Sequence, residues 1–173
     1  MKRTFLKSLV VAIALPTALA VNAAPSNGGC KLQGSWMGVE GGELLVTYEG
    51  QASSGTLNEE LPALDLSFFE FFCAGTGELK ASSFKGLWQR TSGNTFSYTQ
   101  VAYVVDEDNN VTCIVKNSGE KTLSDQCNFM TVNSSLELFY PDENPFEDYP
   151  FFATPMDPVY AYRMRIDPPV CTA

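Results

Sequence analysis

Beyond its first 23 residues, this chain nowhere sustains an apolar repeat at helical spacing. Short runs rich in Val, Thr, Phe and Tyr alternate instead with clusters of Gly, Asn, Asp and Ser, the pattern of strands joined by tight turns. The clearest strands are Leu44 to Glu49, Phe84 to Arg90, Thr95 to Val105, Val111 to Lys116, Cys127 to Val132, Leu136 to Tyr140 and Val159 to Ile166. Between them "TSGN" (91–94), "DEDNN" (106–110), "NSGE" (117–120) and "NSS" (133–135) offer residues that accept left-handed backbone angles or cap turns with their side chains. Consecutive strands are therefore expected to be antiparallel neighbours. Two segments break the pattern. "LPALDLSFFEFFC" (61–73) fits a strand or a short helix and is read as a strand; "YPDENPFEDYPFFATPMDP" (140–158) is a loop with five prolines. A meander of this kind hides its edges by closing on itself, so the expected fold is an all-β, antiparallel up-and-down barrel of about eight strands.

The first 23 residues place Lys2, Arg3 and Lys7 ahead of an apolar run, Leu9 to Ala20, that is too short for a stop-transfer helix. This is the layout of a secretory signal peptide, cut between Ala23 and Ala24, with a cut after Ala20 as the alternative. No leucine stands three residues before Cys30, so the lipoprotein pattern is missing. Residues 24–173 then form one domain, exported to the periplasm or the extracellular space.

The signal takes three of the eleven basic residues and none of the twenty acidic ones, leaving eight against twenty, a net charge near −12. Such a surface repels nucleic acid and anionic membranes. The chain has no histidine, which removes the commonest general base and transition-metal ligand. Zinc, haem and Ser-His-Asp chemistry are poor fits, and no cofactor or metal is expected. All five cysteines, at 30, 73, 113, 127 and 171, lie in the exported part, where disulfides form. The odd count leaves at least one unpaired.

Two motifs carry a family resemblance. Gly34-Ser35-Trp36 near the start, with an arginine in the closing "VYAYRMRI" (159–166), resembles the structural signature of the lipocalin-like (calycin) barrels. In that family the tryptophan plugs the closed end and the late arginine stacks across its ring. Arg163 matches that arginine best, with Arg165 as the alternative. "FKGLWQRTSGNTFSYTQVAYVVDEDNNVTCIV" (84–115) resembles the central block of small bacterial lipocalin-like proteins of unknown function. The chain departs from the common layout in one respect: the proline-rich loop stands where the helix before the last strand is expected.

Alternation along Phe84 to Arg90 sends Phe84, Gly86, Trp88 and Arg90 to one face, and the larger apolar face is pointed inward. On the next strand Phe96, Tyr98, Gln100 and Ala102 share a face, which is turned inward so that Phe96 and Tyr98 lie beside Trp88. Leu136, Leu138 and Tyr140 form a similar face later. Trp88, Arg90, Phe96, Tyr98 and Leu138 are thus the candidate ligand-binding residues, and Trp36 with Arg163 the structural lock. An eight-stranded barrel is just wide enough to be filled by its own side chains or to hold one small ligand.

Acidic clusters are less specific. Asp106, Asp108 and Asn110 alternate like the start of a calcium loop, but Val111 stands where that loop needs glycine and Asn117 where it needs glutamate, so they read as a solvated hairpin turn. Asp142, Glu143, Glu147, Asp148 and Asp157 share the proline-rich loop with Phe146, Tyr149, Phe151 and Phe152, which suggests a flap over one barrel end. Asn133-Ser134-Ser135 is a formal glycosylation sequon, expected to be unmodified in a bacterial export context.

The sequence is thus read as a monomeric, non-enzymatic binder of a small apolar or amphiphilic molecule. One alternative is a structural or interaction protein with a filled barrel that uses loop 142–157 as its contact surface. A more remote one is a calycin-type cyclase or isomerase, for which Glu70 and Glu137 are the only plausible strand acids. Closure of a calycin-like barrel brings the first and last strands together, which favours a Cys30–Cys171 disulfide. The "NSGE" hairpin favours Cys113–Cys127, leaving Cys73 free.

Overall fold

Gly34 opens the first strand with a φ of 116°, a backbone conformation that residues with a Cβ rarely adopt. A Cβ there would also lie 3.1 Å from Nη1 of Arg163. The glycine of the Gly-Ser-Trp motif is thus explained by backbone geometry and by the closeness of the last strand.

The computed structural model describes residues 29–39, 45–60 and 67–165. The expected signal peptide (1–23), Leu44, residues 61–66, Ile166 and Cys171 lie outside the described residues. Ten strands and one short helix follow in order: β1 (Gly34–Val39), β2 (Leu45–Gly50), β3 (Ser54–Glu60), α1 (Ser67–Phe72), β4 (Lys80–Ala81), β5 (Phe84–Ser92), β6 (Thr95–Val105), β7 (Val111–Leu123), β8 (Phe129–Phe139), β9 (Phe152–Pro155) and β10 (Val159–Arg163). Every pairing is antiparallel, in the order β1-β2-β3-β5-β6-β7-β8, and β10 pairs with both β8 and β1 to close the sheet. β4 extends β5 along β6, and β9 extends β10 along β8. The result is a closed antiparallel barrel of eight staves, two of them interrupted. Pro155 and Pro158 interrupt the last stave because proline donates no ladder hydrogen bond.

The inward faces follow the expected alternation. Phe84 and Trp88 of β5 are buried while Lys85, Leu87 and Gln89 are exposed, and Phe96, Tyr98, Gln100, Ala102 and Val104 of β6 are buried together. Buried apolar side chains form two clusters. One holds Trp36, Val46, Tyr48, Trp88, Phe96 and Met130; the other holds Phe69 of α1 with Phe84, Val104, Val115 and Leu138. Since α1 follows β3 and precedes β4, the second cluster marks the helical end of the barrel.

Three local expectations are corrected. "NSGE" and "NSS" are not turns: β7 and β8 run through them, with Ser118 opposite Ser135, Gly119 opposite Ser134 and Glu120 opposite Asn133. The turn lies at 124–128, where Cys127 takes a φ of 59°. Pairing along the whole hairpin overrides the local turn preference of these small polar residues. Residues 67–72 are helix and not strand, and β3, "SGTLNEE", is not legible because its inward Gly55 and Glu59 hide the alternation.

The disulfides are corrected as a consequence. Cys30 bonds Cys127, and Cys73 bonds Cys113. Cys113 sits near the helical end of the 13-residue strand β7, roughly 35 Å along the ladder from the 124–128 turn at about 3.4 Å per residue. Cys113 and Cys127 therefore cannot meet. Cys73, expected to be free, joins the end of α1 to β7.

Candidate functional site

At the end away from α1, two arginines tie the segment before β1 to the barrel. The Arg163 guanidinium lies 4.3 Å from the Trp36 ring centroid. It donates from Nε to Cys127 O (2.8 Å), from Nη1 to Gln33 O (2.6 Å) and from Nη2 to Lys31 O. Trp36 Nε1 donates to Leu32 O at 3.0 Å. The guanidinium of Arg90, placed among the ligand contacts by sequence, lies 4.5 Å from the Phe96 centroid and donates to the carbonyls of Ala52 (3.1 Å), Gly93 and Cys30 (2.6 Å). Arg90 is thus a second clasp of the same kind, holding backbone. With the Cys30–Cys127 bond beside them, both arginines seal this end.

Inside the sealed half, Trp88 meets Phe96 edge-to-face at 5.7 Å, and its Nε1 donates to Glu49 O and Thr56 O, both at 3.1 Å. Trp88, Arg90, Phe96 and Tyr98 gather here as expected from sequence, whereas Leu138 belongs to the helical-end cluster. Phe96 is covered by Trp88 and the Arg90 guanidinium, and the Tyr98 ring by the ammonium of Lys121. A groove runs along the outer wall past Thr56, Leu87, Gln89, Ser97 and Thr99, and Trp88 and Tyr98 of the same two strands also border it.

The polar chemistry of the barrel comes mostly from inward positions that the sequence does not single out, Tyr98 and the inward face of Gln100 excepted. Lys121, only 1% exposed, donates to the Tyr48 hydroxyl and lies 3.8 Å from Glu59 Oε2. Its ammonium stands 4.0 Å from the Tyr98 centroid and 4.8 Å from that of Tyr48, so two ring faces replace part of its lost hydration. Tyr98 donates its hydroxyl to Asn117 Oδ1 at 2.6 Å, and Gln100 Nε2 donates to the same oxygen at 3.3 Å. Asn117 Nδ2 donates to Ser135 O. A polar network running Glu59–Lys121–Tyr48 and on through Tyr98, Asn117 and Gln100 thus sits within a core otherwise built of two apolar clusters.

Burial sets the protonation of this network. Loss of solvent pushes the Lys121 ammonium down to about 8, against the opposing pull of Glu59, which raises it. Burial also pushes the Tyr48 and Tyr98 phenols up, so both remain protonated. One group is left over. Gln100 Oε1 is buried and accepts no hydrogen bond from any described residue. Exchanging the amide atoms does not help, because it would set the Gln100 oxygen against Asn117 Oδ1, acceptor against acceptor.

At the helical end, Phe69 of α1 is buried against the core and Phe72 meets Phe152 at 4.2 Å. Cys73–Cys113 tethers the helix immediately after its last turn. The proline-rich loop contributes to this cover less than expected. Phe151 stacks on Tyr140 at 4.5 Å, but Phe146 and Tyr149 are 67% and 91% exposed. Asp106 caps its own turn, accepting from the Asp108 and Asn110 backbones at 3.0 and 2.9 Å. Those bonds, led by the one from Asn110, hold its carboxyl below the usual range, which accounts for the alternating acidic pattern without a metal.

Lys121 was hidden by the misplaced "NSGE" turn. Once β7 is extended, Cys113, Val115, Asn117, Gly119, Lys121 and Leu123 alternate inward as one face, and a lysine between apolar positions is the signal that a correct strand length exposes. Glu59 was lost with β3. Comparison with protein-family models, with curated proteins and with solved structures found no match. The closed eight-stranded antiparallel barrel is consistent with a calycin-like fold.

Proposed function

We propose that this protein is an exported, lipocalin-like binding protein, and not an enzyme, whose barrel receives the polar end of a small amphiphilic molecule at the Gln100–Asn117–Lys121 network. One observation carries the reading: Gln100 Oε1 is a buried acceptor without a donor. Leaving such a group unpaired costs about 1–3 kcal/mol, a cost that a ligand hydroxyl removes by donating to it. Lys121 supplies donors and Glu59 an acceptor nearby, so a neutral hydroxyl end suits the site better than a second fixed charge. The apolar part of the ligand lies toward the helical end, where Phe69, Phe84 and Leu138 supply hydrophobic walls. Entry requires α1 to swing about its tether at Cys73–Cys113. Export fits the two disulfides, which persist in oxidising compartments. Titration calorimetry with decan-1-ol tests the reading. Saturable binding to the wild type that is lost in Gln100→Leu supports it, and equal heats from both proteins contradict it.

A second reading, an interaction protein with a filled barrel, is favoured by the close packing of Trp36, Trp88 and Phe96 and by the exposed Phe146 and Tyr149 on the acidic loop 142–157. It predicts no alcohol binding, together with a partner whose capture is lost in a Phe146→Ser/Tyr149→Ser variant.

A further inference from the structure

Among the described residues, Lys121 carries the one buried amine: Lys31, Lys80 and Lys85 are exposed, and Lys116 is partly buried. It sits where a carboxylate, a phenol and two ring faces converge. Glu59 Oε2 lies 3.8 Å from Nζ, the Tyr48 hydroxyl accepts from it, and the ring centroids of Tyr98 and Tyr48 stand 4.0 and 4.8 Å away. These contacts come from β2, β3 and β6, so the amine is held from three sides. Burial pushes its ammonium down to about 8, so near neutral pH the free amine is on the order of a hundredfold more abundant than at an exposed lysine. A free lysine amine is a nucleophile toward carbonyl carbon.

The charge balance of the cluster selects the electrophile. Acylation by an ester would turn Nζ into a neutral amide and leave Glu59, itself only 7% exposed, as a buried carboxylate without its cation, which is strongly unfavourable. An imine avoids this, because its protonated form keeps one positive charge and one N–H. An aldehyde, like a hydroxyl, is also a neutral polar end.

We propose that Lys121 captures an amphiphile whose polar end is an aldehyde, forming a protonated imine paired with Glu59. The step rests on the binding reading above: the chain lies along Phe69, Phe84 and Leu138, and the carbonyl passes the Gln100–Asn117 pair to reach Nζ. Glu59 takes one proton from the ammonium, the nitrogen lone pair bonds to the carbonyl carbon, and a second proton passes from nitrogen to oxygen, giving a carbinolamine. Glu59 returns its proton to that hydroxyl, water leaves, and the nitrogen lone pair closes the C=N bond. Two of the three ammonium protons end in water and one stays on the imine, so the positive charge is unchanged. The carbinolamine hydroxyl, and the water it becomes, are donors of the kind that Gln100 Oε1 lacks. With Lys121 only 1% exposed, bulk water is kept from the imine, which would otherwise hydrolyse.

Reductive trapping of the mature protein with decanal and sodium cyanoborohydride near neutral pH, read by intact mass and peptide mapping, tests the assignment. The native wild type is expected to gain one decyl group, on Lys121, at least about tenfold above the level on Lys31, Lys80, Lys85 or Lys116. Excess decan-1-ol should suppress it, and the preference should vanish when the same chain is unfolded in guanidinium chloride. Lys121→Met/Glu59→Gln, shown by circular dichroism to be folded, should retain only the labelling of the other lysines. A native wild type that shows no preference for Lys121 while still binding decan-1-ol saturably overturns the imine and leaves the amphiphile reading standing. No preference together with no alcohol binding overturns both. A Lys121 adduct that excess decan-1-ol leaves unchanged supports the imine and overturns the shared site.

Discussion

Arg163 and Trp36 stand opposite each other across the seam where the last strand meets the first, with the guanidinium 4.3 Å from the indole centroid and its nitrogens bonded to three backbone carbonyls. One side chain thereby joins β10, the segment before β1 and the 124–128 turn. Trp36 is fully buried, so Trp36→Ala is expected to lower stability by ~3–5 kcal/mol. Arg163→Lys keeps the charge but loses the planar fork, and is expected to cost ~1–3 kcal/mol. Urea unfolding of both variants checks these values, and an unchanged midpoint for Trp36→Ala would contradict the lock.

Non-reducing peptide mapping is expected to recover Cys30 linked to Cys127 and Cys73 linked to Cys113. The bonds close loops of 97 and 40 residues, for which chain entropy gives about 4.7 and about 4 kcal/mol respectively. Paired Cys30→Ser/Cys127→Ser replacement should therefore lower stability more than Cys73→Ser/Cys113→Ser. The second pair should mainly loosen α1, which protease sensitivity near residues 67–72 would report.

Lys121 gives stability a distinct pH dependence. Burial holds its folded-state pKa at about 8, below the ordinary lysine value of 10.5. As pH rises through 8 the native state releases this proton while the unfolded chain keeps it, so the cost of the buried charge, fully present below 8, disappears toward 10.5. From about pH 7.5 to about pH 9.5 the wild type should gain about 2 kcal/mol from this group. Of the groups facing it, Glu59 favours the charged form, while Tyr48 and Tyr98 stay protonated and reverse the trend above pH ~10. Comparing urea midpoints with those of Lys121→Met/Glu59→Gln isolates the contribution, and equal slopes for the two proteins would refute it.

Gln100 and Asn117 should behave oppositely on substitution. Gln100→Leu removes the acceptor that has no donor, and Asn117 Oδ1 keeps its bond from Tyr98, so stability should change by less than ~1 kcal/mol. Asn117→Ala takes the acceptor from the Gln100 amide and leaves the Tyr98 hydroxyl with Ser134 alone, and should cost about 1–3 kcal/mol. Thermal denaturation of the two variants separates a ligand-facing group from a structural one.

Much of the frame was legible in the sequence. Alternation placed Trp88, Phe96 and Tyr98 on the inward faces, and the Gly-Ser-Trp motif with Arg163 located the closure, because both signals are local and strong. The hairpin of β7 and β8 was not legible. Asn117, Gly119 and Ser134 favour turns when isolated, yet here they occupy crowded inward positions that only small or hydrogen-bonding side chains fill, a requirement set by strands distant in sequence. The disulfides failed for the same reason, since pairing depends on strand length, and Lys121 was obscured with them. The inward role of Glu59 depends on β3, where Leu57 is the one apolar inward residue and Gly55 and Glu59 make the segment resemble a loop.

The central claim is that the polar network inside this locked barrel receives a small molecule. Native mass spectrometry of the protein purified from its own host, for the wild type and Gln100→Leu, tests it most directly. The wild type is expected to carry a small molecule released on denaturation, and the variant, equally stable, to carry none. A bare-chain mass for the wild type, unchanged after incubation with decan-1-ol, would contradict it.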